Sequence, residues 1–232
     1  MAQPDPRPAS AHQQRVLQAA CTLFLRDGYR VSMSAVAREA GVSKQTVYAH
    51  YETKDGLFHA AVEQLVQPLH ASLHTAQRSL ADTLYDLAEA HQSNIMDPAK
   101  VALGRMLISE APRFPVAART FFRTAVENLQ NRLAERMGEA MSSGQMRQDD
   151  PDAAAELFLS MLHGLEGDRR LFGVRGRSRT AQDAWARHAV TIFLQAYAVA
   201  PGRIAPGRSG VAGADASSTN PEKNPEKRTE TP

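Results

Sequence analysis

The chain has 232 residues, 43% of them hydrophobic, and 27 Lys and Arg against 25 Asp and Glu give a formal net charge of +2. That length accommodates one large domain, or a small domain with a larger one, and that apolar content fills a sizeable core. The near-balanced charge excludes a polybasic arm, so affinity for a polyanion must come from local placement of basic groups. A single cysteine, Cys21, excludes an intrachain disulfide and fits a reducing compartment. It lies in an apolar helical pattern, the setting of a buried and inert thiol.

Residues 1–10 hold three prolines and no periodic apolar pattern, which predicts a disordered lead-in. The start MAQPDPRPASAHQQR has no apolar core region and does not read as a signal peptide. From 11 onward the spacing is helical. Val16, Leu17, Ala20, Leu23 and Phe24 form one helix face, and Gly28 closes that helix. Two short helices follow, over 33–40 and 44–50, separated by Gly41-Val42-Ser43. A longer helix begins near Lys54, with Leu57, Phe58, Ala61, Val62, Leu65, Leu69 and Leu73 on its buried side. Leu80, Leu84, Leu87 and His91 mark the next, and Pro98 opens another that must stop before Pro112.

Pro115 suits the first turn of a long helix reaching about Ser142, with an apolar stripe of Phe122, Val126, Leu129, Leu133, Met137 and Met141. Asp150-Pro151 reads as the cap and first residue of a helix whose stripe is Ala154, Leu157, Phe158, Met161, Leu162 and Leu165. The last helix carries Trp185, Ala189, Ile192, Phe193 and Ala196. The tail, 201–232, with five Pro and four Gly among polar residues, reads as disordered. No segment alternates with period 2, so the fold class is all-α. The longest apolar stretch, VTIFLQAYAVA, is about half of the roughly 20 residues a bilayer requires, which predicts a soluble, cytoplasmic protein with no membrane partner.

The chemistry concentrates in the two short helices. Each is marginal alone, and a helix, a tight turn containing Gly and a second helix is the layout of a helix-turn-helix. Gly41 is suited to the left-handed end of the first helix and Ser43 to the cap of the second. Val47 and Tyr51 face inward with Val36, Ala37 and Ala40, so Lys44, Gln45 and Tyr48 face outward, flanked by Thr46 and His50. Gln pairs with adenine edges, Thr reaches base or phosphate, and Lys and Tyr donate to phosphate oxygens. Ser32 and Thr53 cap two further helices, the second beginning at Lys54, and each free N–H cluster is a phosphate-binding point. Arg38 adds a backbone contact.

Enzyme signatures are weak. His70 and His74, four apart, lack the Glu of a zincin and a third ligand. Glu135 and Glu139 alternate with Arg132 and Arg136, the pattern of a solvated helix face. No nucleophile elbow, P-loop or dinucleotide fingerprint occurs, so neither an enzymatic activity nor a cofactor is expected.

The run GYRVSMSAVAREAGVSKQTVYAHYETKDGLF, residues 28–58, resembles the N-terminal DNA-binding domain of the TetR family of transcriptional regulators. Gly28-Tyr29, Ser32, Val36-Ala37, Ala40 to Ser43, Tyr48, Tyr51, Lys54 and Leu57-Phe58 carry the resemblance, and LISEAPRFPVAARTFF is similar to the ligand-binding half of one subgroup. Tyr51 stands where the family often has Phe, Gly56 sits in a helix first turn, and Ala35 leaves the Ser32 cap without a reciprocal acid. The resemblance implies about nine helices, a helix-turn-helix domain over 11–56 and a ligand-binding and dimerisation domain over 57–200. It places DNA contacts on Ser32, Arg38, Ser43, Lys44, Gln45, Thr46, Tyr48, His50 and Lys54. It places an effector pocket among Tyr85, His91, Met106, Phe114, Phe121, Phe122 and Met161. A homodimer interface falls on Leu157, Phe158, Met161, Leu165, Trp185, Ile192 and Phe193. The function implied is a ligand-responsive repressor that binds a palindromic double-stranded operator as a dimer and is released by a small molecule. A small-molecule binding protein with a decayed DNA-binding module is the alternative, and a metal-dependent all-α enzyme a third.

Overall fold

Side-chain caps and glycines set most of the helix ends. The computed structural model describes residues 11–73 and 78–199, so the expectations for the lead-in, the tail and His74 fall outside the described residues. Helix α1 (Ala11–Asp27) stops at Gly28, whose φ of 65° is left-handed, and a 3-10 turn over Gly28–Arg30 follows. α2 (Met33–Ala40), α3 (Lys44–His50) and α4 (Lys54–Ala71) come next. Ser32 accepts from the Ala35 N–H at 3.1 Å, Ser43 from Thr46 at 3.0 Å and Thr53 from Gly56 at 3.0 Å. Each removes one orphan donor from a helix start, worth about 1 kcal/mol. Between α2 and α3, Gly41 is left-handed at φ 62° and ψ 40°, and the Val42 N–H returns to the Ala37 carbonyl at 3.0 Å.

Ser79 caps α5 (Leu80–Met96) and Asp97 caps α6 (Pro98–Glu110). α7 (Pro115–Phe122) continues through a π turn, Arg123–Glu127, into α8 (Asn128–Ser142) as one helix. Asp150 caps α9 (Pro151–Leu171), and Ser178 caps α10 (Arg179–Ala196). With α7 and α8 counted together, the described residues hold nine helices and no strand.

Two apolar cores organise these helices. The first joins α1, α2 and α3 to Leu57, Phe58, Ala61 and Val62 of α4, with Leu103 and Leu107 of α6 and Ala117 of α7. The second gathers α5, α8, α9 and α10 around Val66 and Leu69 of the same α4. Helix α4 therefore runs unbroken from one core into the other. An aromatic group seals its N-terminal half: Phe58 meets Phe24 and Tyr29 edge-on at 5.1 Å, and Phe114 lies 5.2 Å from Tyr29. The described residues fall within one compact unit.

Two places depart from the expected stripes, both for backbone reasons. Along α7 and α8 the buried positions are Ala117, Thr120, Thr124, Leu129, Leu133, Ala134, Met137, Ala140 and Met141. The step from 124 to 129 is five residues, the period of the π turn. That extra residue rotates Phe122 and Val126 out of the expected stripe, leaving Phe122 54% exposed. In α9, Gly164 has φ 47° and ψ −157°, a glycine-only conformation that kinks the helix. The carbonyls just before the kink are held from outside: Trp185 Nε1 donates to Met161 at 3.0 Å and Gln92 Nε2 to Leu162 at 3.1 Å.

Candidate nucleic-acid interface and cavity

Helix α3 is fixed by Val47, fully buried against Val36, Ala37 and Ala40, with Tyr51 half-buried at its end. That anchoring turns Lys44, Gln45 and Tyr48 to solvent, with Thr46 and His50 half-exposed beside them. Ser43 Oγ and Thr46 Oγ1 lie 2.8 Å apart, so the N-terminal turn presents its hydroxyls as one group. The Lys44 ammonium sits 5.7 Å from the Tyr48 ring centre, and Ser32 and Arg38 are exposed on α2. All nine side chains expected to contact DNA are thus on or beside the two short helices and the start of α4.

Lys54 is held more tightly than the others. Its ammonium lies 4.1 Å above the Tyr29 ring, and burial lowers its pKa, opposed by neighbouring Asp55. Tyr29 OH donates to Asp55, and burial together with that carboxylate pushes the phenol pKa well up. Lys54 is therefore a positioned charge at a helix N-terminus rather than a free tether. Tyr29 was legible only as part of a turn motif; its aromatic and electrostatic role depends on Phe24, Phe58 and Phe114 converging from distant segments.

The larger half contains a cavity of about 610 Å³. Of the seven side chains expected in a pocket, His91, Phe121 and Phe122 line it. The other four stand elsewhere. Tyr85 lies at a separate depression beside Asp183 and Arg187, its hydroxyl 3.3 Å from Thr191. Met106 and Phe114 meet Tyr29 and Arg30 at the seam between α6 and the first core. Met161 packs against the second core. Stripe positions identify which face of a helix is apolar, but not whether that face meets a neighbour or a void.

The cavity wall is mostly apolar, from Leu65, Val66, Leu69, Leu103, Leu129 and Leu159, with polar groups from α5, α6 and α9. His91 is buried, its Nδ1 atom has no hydrogen-bond partner, and its ring meets His163 edge-on at 6.0 Å. Burial, with His163 adding to it, brings its pKa down to about 4. Lys100 donates to Asn94 Oδ1 at 2.6 Å and to the Leu65 carbonyl at 3.1 Å. Lys100 and His163 carried no sequence signal: one follows a helix-opening proline and the other lies between stripe positions. No group of three or more potential metal ligands occurs among the described residues.

Of the side chains expected at a dimer interface, Leu157, Leu165 and Ile192 are exposed, Met161 and Trp185 half-buried. Phe158 and Phe193 are buried in the chain's own core, 4.9 Å apart. No helix among the described residues is long and apolar enough to cross a membrane.

A small helix-turn-helix unit with a solvent-facing polar second helix, carried on an all-helical body with a cavity, defines a helix-turn-helix transcriptional regulator. Residues 16–61 match the family model described as bacterial regulatory proteins, tetR family, and residues 82–199 match the AefR-like transcriptional repressor C-terminal domain. The chain belongs to the TetR family of DNA-binding transcriptional regulators. Its fold is similar to that of a TetR-family regulator from Mesorhizobium loti MAFF303099, with a TM-score of 0.69, 26% identity, and coverage of 83% of this chain and 100% of that one. It is also similar to the flavonoid-responsive regulator FrrA, with a TM-score of 0.65, 30% identity, and coverage of 82% and 98%. A curated relative, the HTH-type transcriptional regulator YvaF of Bacillus subtilis (strain 168), is 31% identical over 96 residues. That match spans 41% of this chain and 43% of the relative's length.

Proposed function

We propose that the chain is an effector-controlled repressor that binds a palindromic double-stranded operator as a homodimer in the cytoplasm. The observation that carries this reading is the exposed α3 face, where Lys44, Gln45 and Tyr48 project from a helix anchored by buried Val47. A helix presenting an amide and hydroxyls at its N-terminal end suits base edges, while Lys44, Lys54 and the capped starts of α2 and α4 suit the flanking phosphates. The match to a repressor C-terminal domain supports the repressing direction.

Exposed Leu157, Leu165 and Ile192 on α9 and α10 support pairing with a second copy, because such side chains lose apolar area to water unless covered. The two recognition helices of that dimer lie about 34 Å apart, one turn of duplex. The cavity between α4, α5, α6, α8 and α9 takes the effector, as responsiveness to a small molecule in FrrA supports by analogy. An effector that favours a different spacing of the two recognition helices weakens operator binding by shifting the population of dimers. Selection of bound duplexes from a random pool tests this directly. A palindromic consensus, with binding abolished in Tyr48→Ala, is the expected result; enrichment of no sequence contradicts it.

A further inference from the structure

The chemistry of the cavity wall narrows what enters it, provided that the cavity is the effector site proposed above. Lys100 carries the wall's ammonium, yet its two direct partners, the Leu65 carbonyl and Asn94 Oδ1, are neutral oxygens. The nearby carboxylate, Asp97, is occupied by the α6 start, accepting from Ala99 N–H at 2.9 Å and Lys100 N–H at 3.4 Å. An ammonium has three donors, so one remains after the two neutral contacts. Burial pulls the Lys100 pKa down, opposed by Asp97, which is the cost of a cation held without a contacting anion. His91 adds an unpartnered and buried Nδ1 atom on the same wall. Buried polar atoms are almost always bonded, and those that are not call for a ligand or a role.

The negative group of the wall is elsewhere. Glu156 is exposed, as are Ser160 and His163 on the same face of α9, and Phe122 and Val126 of the α7–α8 helix are exposed as well. The exposed carboxylate is screened by solvent, whereas the half-buried ammonium acts through a lower dielectric. Of the wall's two charged groups, the cation is therefore the one that acts strongly, and the rest of the lining is mostly apolar and partly aromatic.

We propose that the cavity takes an amphipathic carboxylic acid in its ionised form. The carboxylate lies on the Lys100 ammonium and the His91 imidazole, and the apolar body runs along Leu129, Phe121 and Phe122 towards the mouth. No bond is made or broken; recognition rests on a hydrogen-bonded ion pair, whose charge attraction only the anion completes.

Calorimetry with matched acid and amide probes of two body shapes tests this. The pairs are 2-naphthoate with 2-naphthamide and dodecanoate with dodecanamide, each titrated into the full chain. In at least one pair the acid is expected to bind more than about tenfold tighter than its amide. Lys100→Met is expected to abolish the acid's preference by weakening the acid far more than the amide, and Lys100→Arg to keep the preference. Equal affinity for acid and amide in both pairs overturns the proposal and leaves the effector cavity standing. Binding of no probe overturns both, and a preference that survives Lys100→Met overturns the assignment to this lysine.

Discussion

Single residues carry two of the fold's sharpest constraints. Gly164 adopts φ 47° and ψ −157°, where an added Cβ meets the Trp185 ring at 3.5 Å. The space tolerates a methyl group, but the backbone conformation does not, so Gly164→Ala should cost about 1–3 kcal/mol in chemical denaturation. His91 supplies a pH dependence. Its folded pKa is about 4, against 6.5 for an ordinary histidine. Between those values the unfolded chain binds a proton that the folded chain does not, so stability falls as pH drops through the window. The loss should reach up to about 3 kcal/mol at the acid end and vanish in His91→Phe, as read from denaturation midpoints at several pH values. Cys21 is buried, as its apolar helical setting implied, and burial pushes its thiol pKa up to about 11.

At the scale of elements, the short helices were legible because their signals are local. Ser32, Ser43, Thr53 and Gly41 each act within four residues, and the structure uses all four as expected. The cavity was not legible, because its outline depends on a π turn and a glycine kink that no periodicity rule anticipates. Phe122 and Val126 extend the i, i+4 stripe of α8 on paper, yet the added residue at the π turn rotates them to the surface and the cavity mouth. Leu157, Leu165 and Ile192 show the other limit. A stripe wider than one neighbour can cover reads as core in sequence, and only packing separates Phe158, which is buried, from Leu165, which is 65% exposed. The kink itself is braced by Trp185. Trp185→Phe keeps an aromatic ring, smaller than the indole, but removes the hydrogen bond to the Met161 carbonyl, and thermal or denaturant unfolding should show a loss of at least about 0.5–1.5 kcal/mol.

The whole molecule is built so that one helix reaches both cores. α4 begins beside the recognition helix, where Thr53 caps it, and ends among the second-core residues that border the cavity. Arg30, exposed in the 3-10 turn after α1, pairs with Glu110 at the end of α6, and Arg105 of α6 donates to the Leu171 carbonyl of α9 at 2.6 Å. α4 and α6 thus each touch both the cavity wall and the first core. The homodimer proposed above predicts a further outcome. Leu165→Glu and Ile192→Glu place charges on the exposed apolar face without entering the core, and light scattering should show monomers for the double variant with helical content retained. A dimer that persists would place the interface elsewhere.

The most direct test of the central claim, that α3 reads a duplex by a few local contacts, is a salt titration of binding to the selected operator. Between about 50 and 200 mM salt the account predicts a steep negative log–log slope, made shallower by about one in Lys44→Ala. Gln45→Ala should leave the slope alone and cost about 1–3 kcal/mol at one base pair. A flat slope, or affinity unchanged in Lys44→Ala, Gln45→Ala and Tyr48→Ala alike, would contradict it.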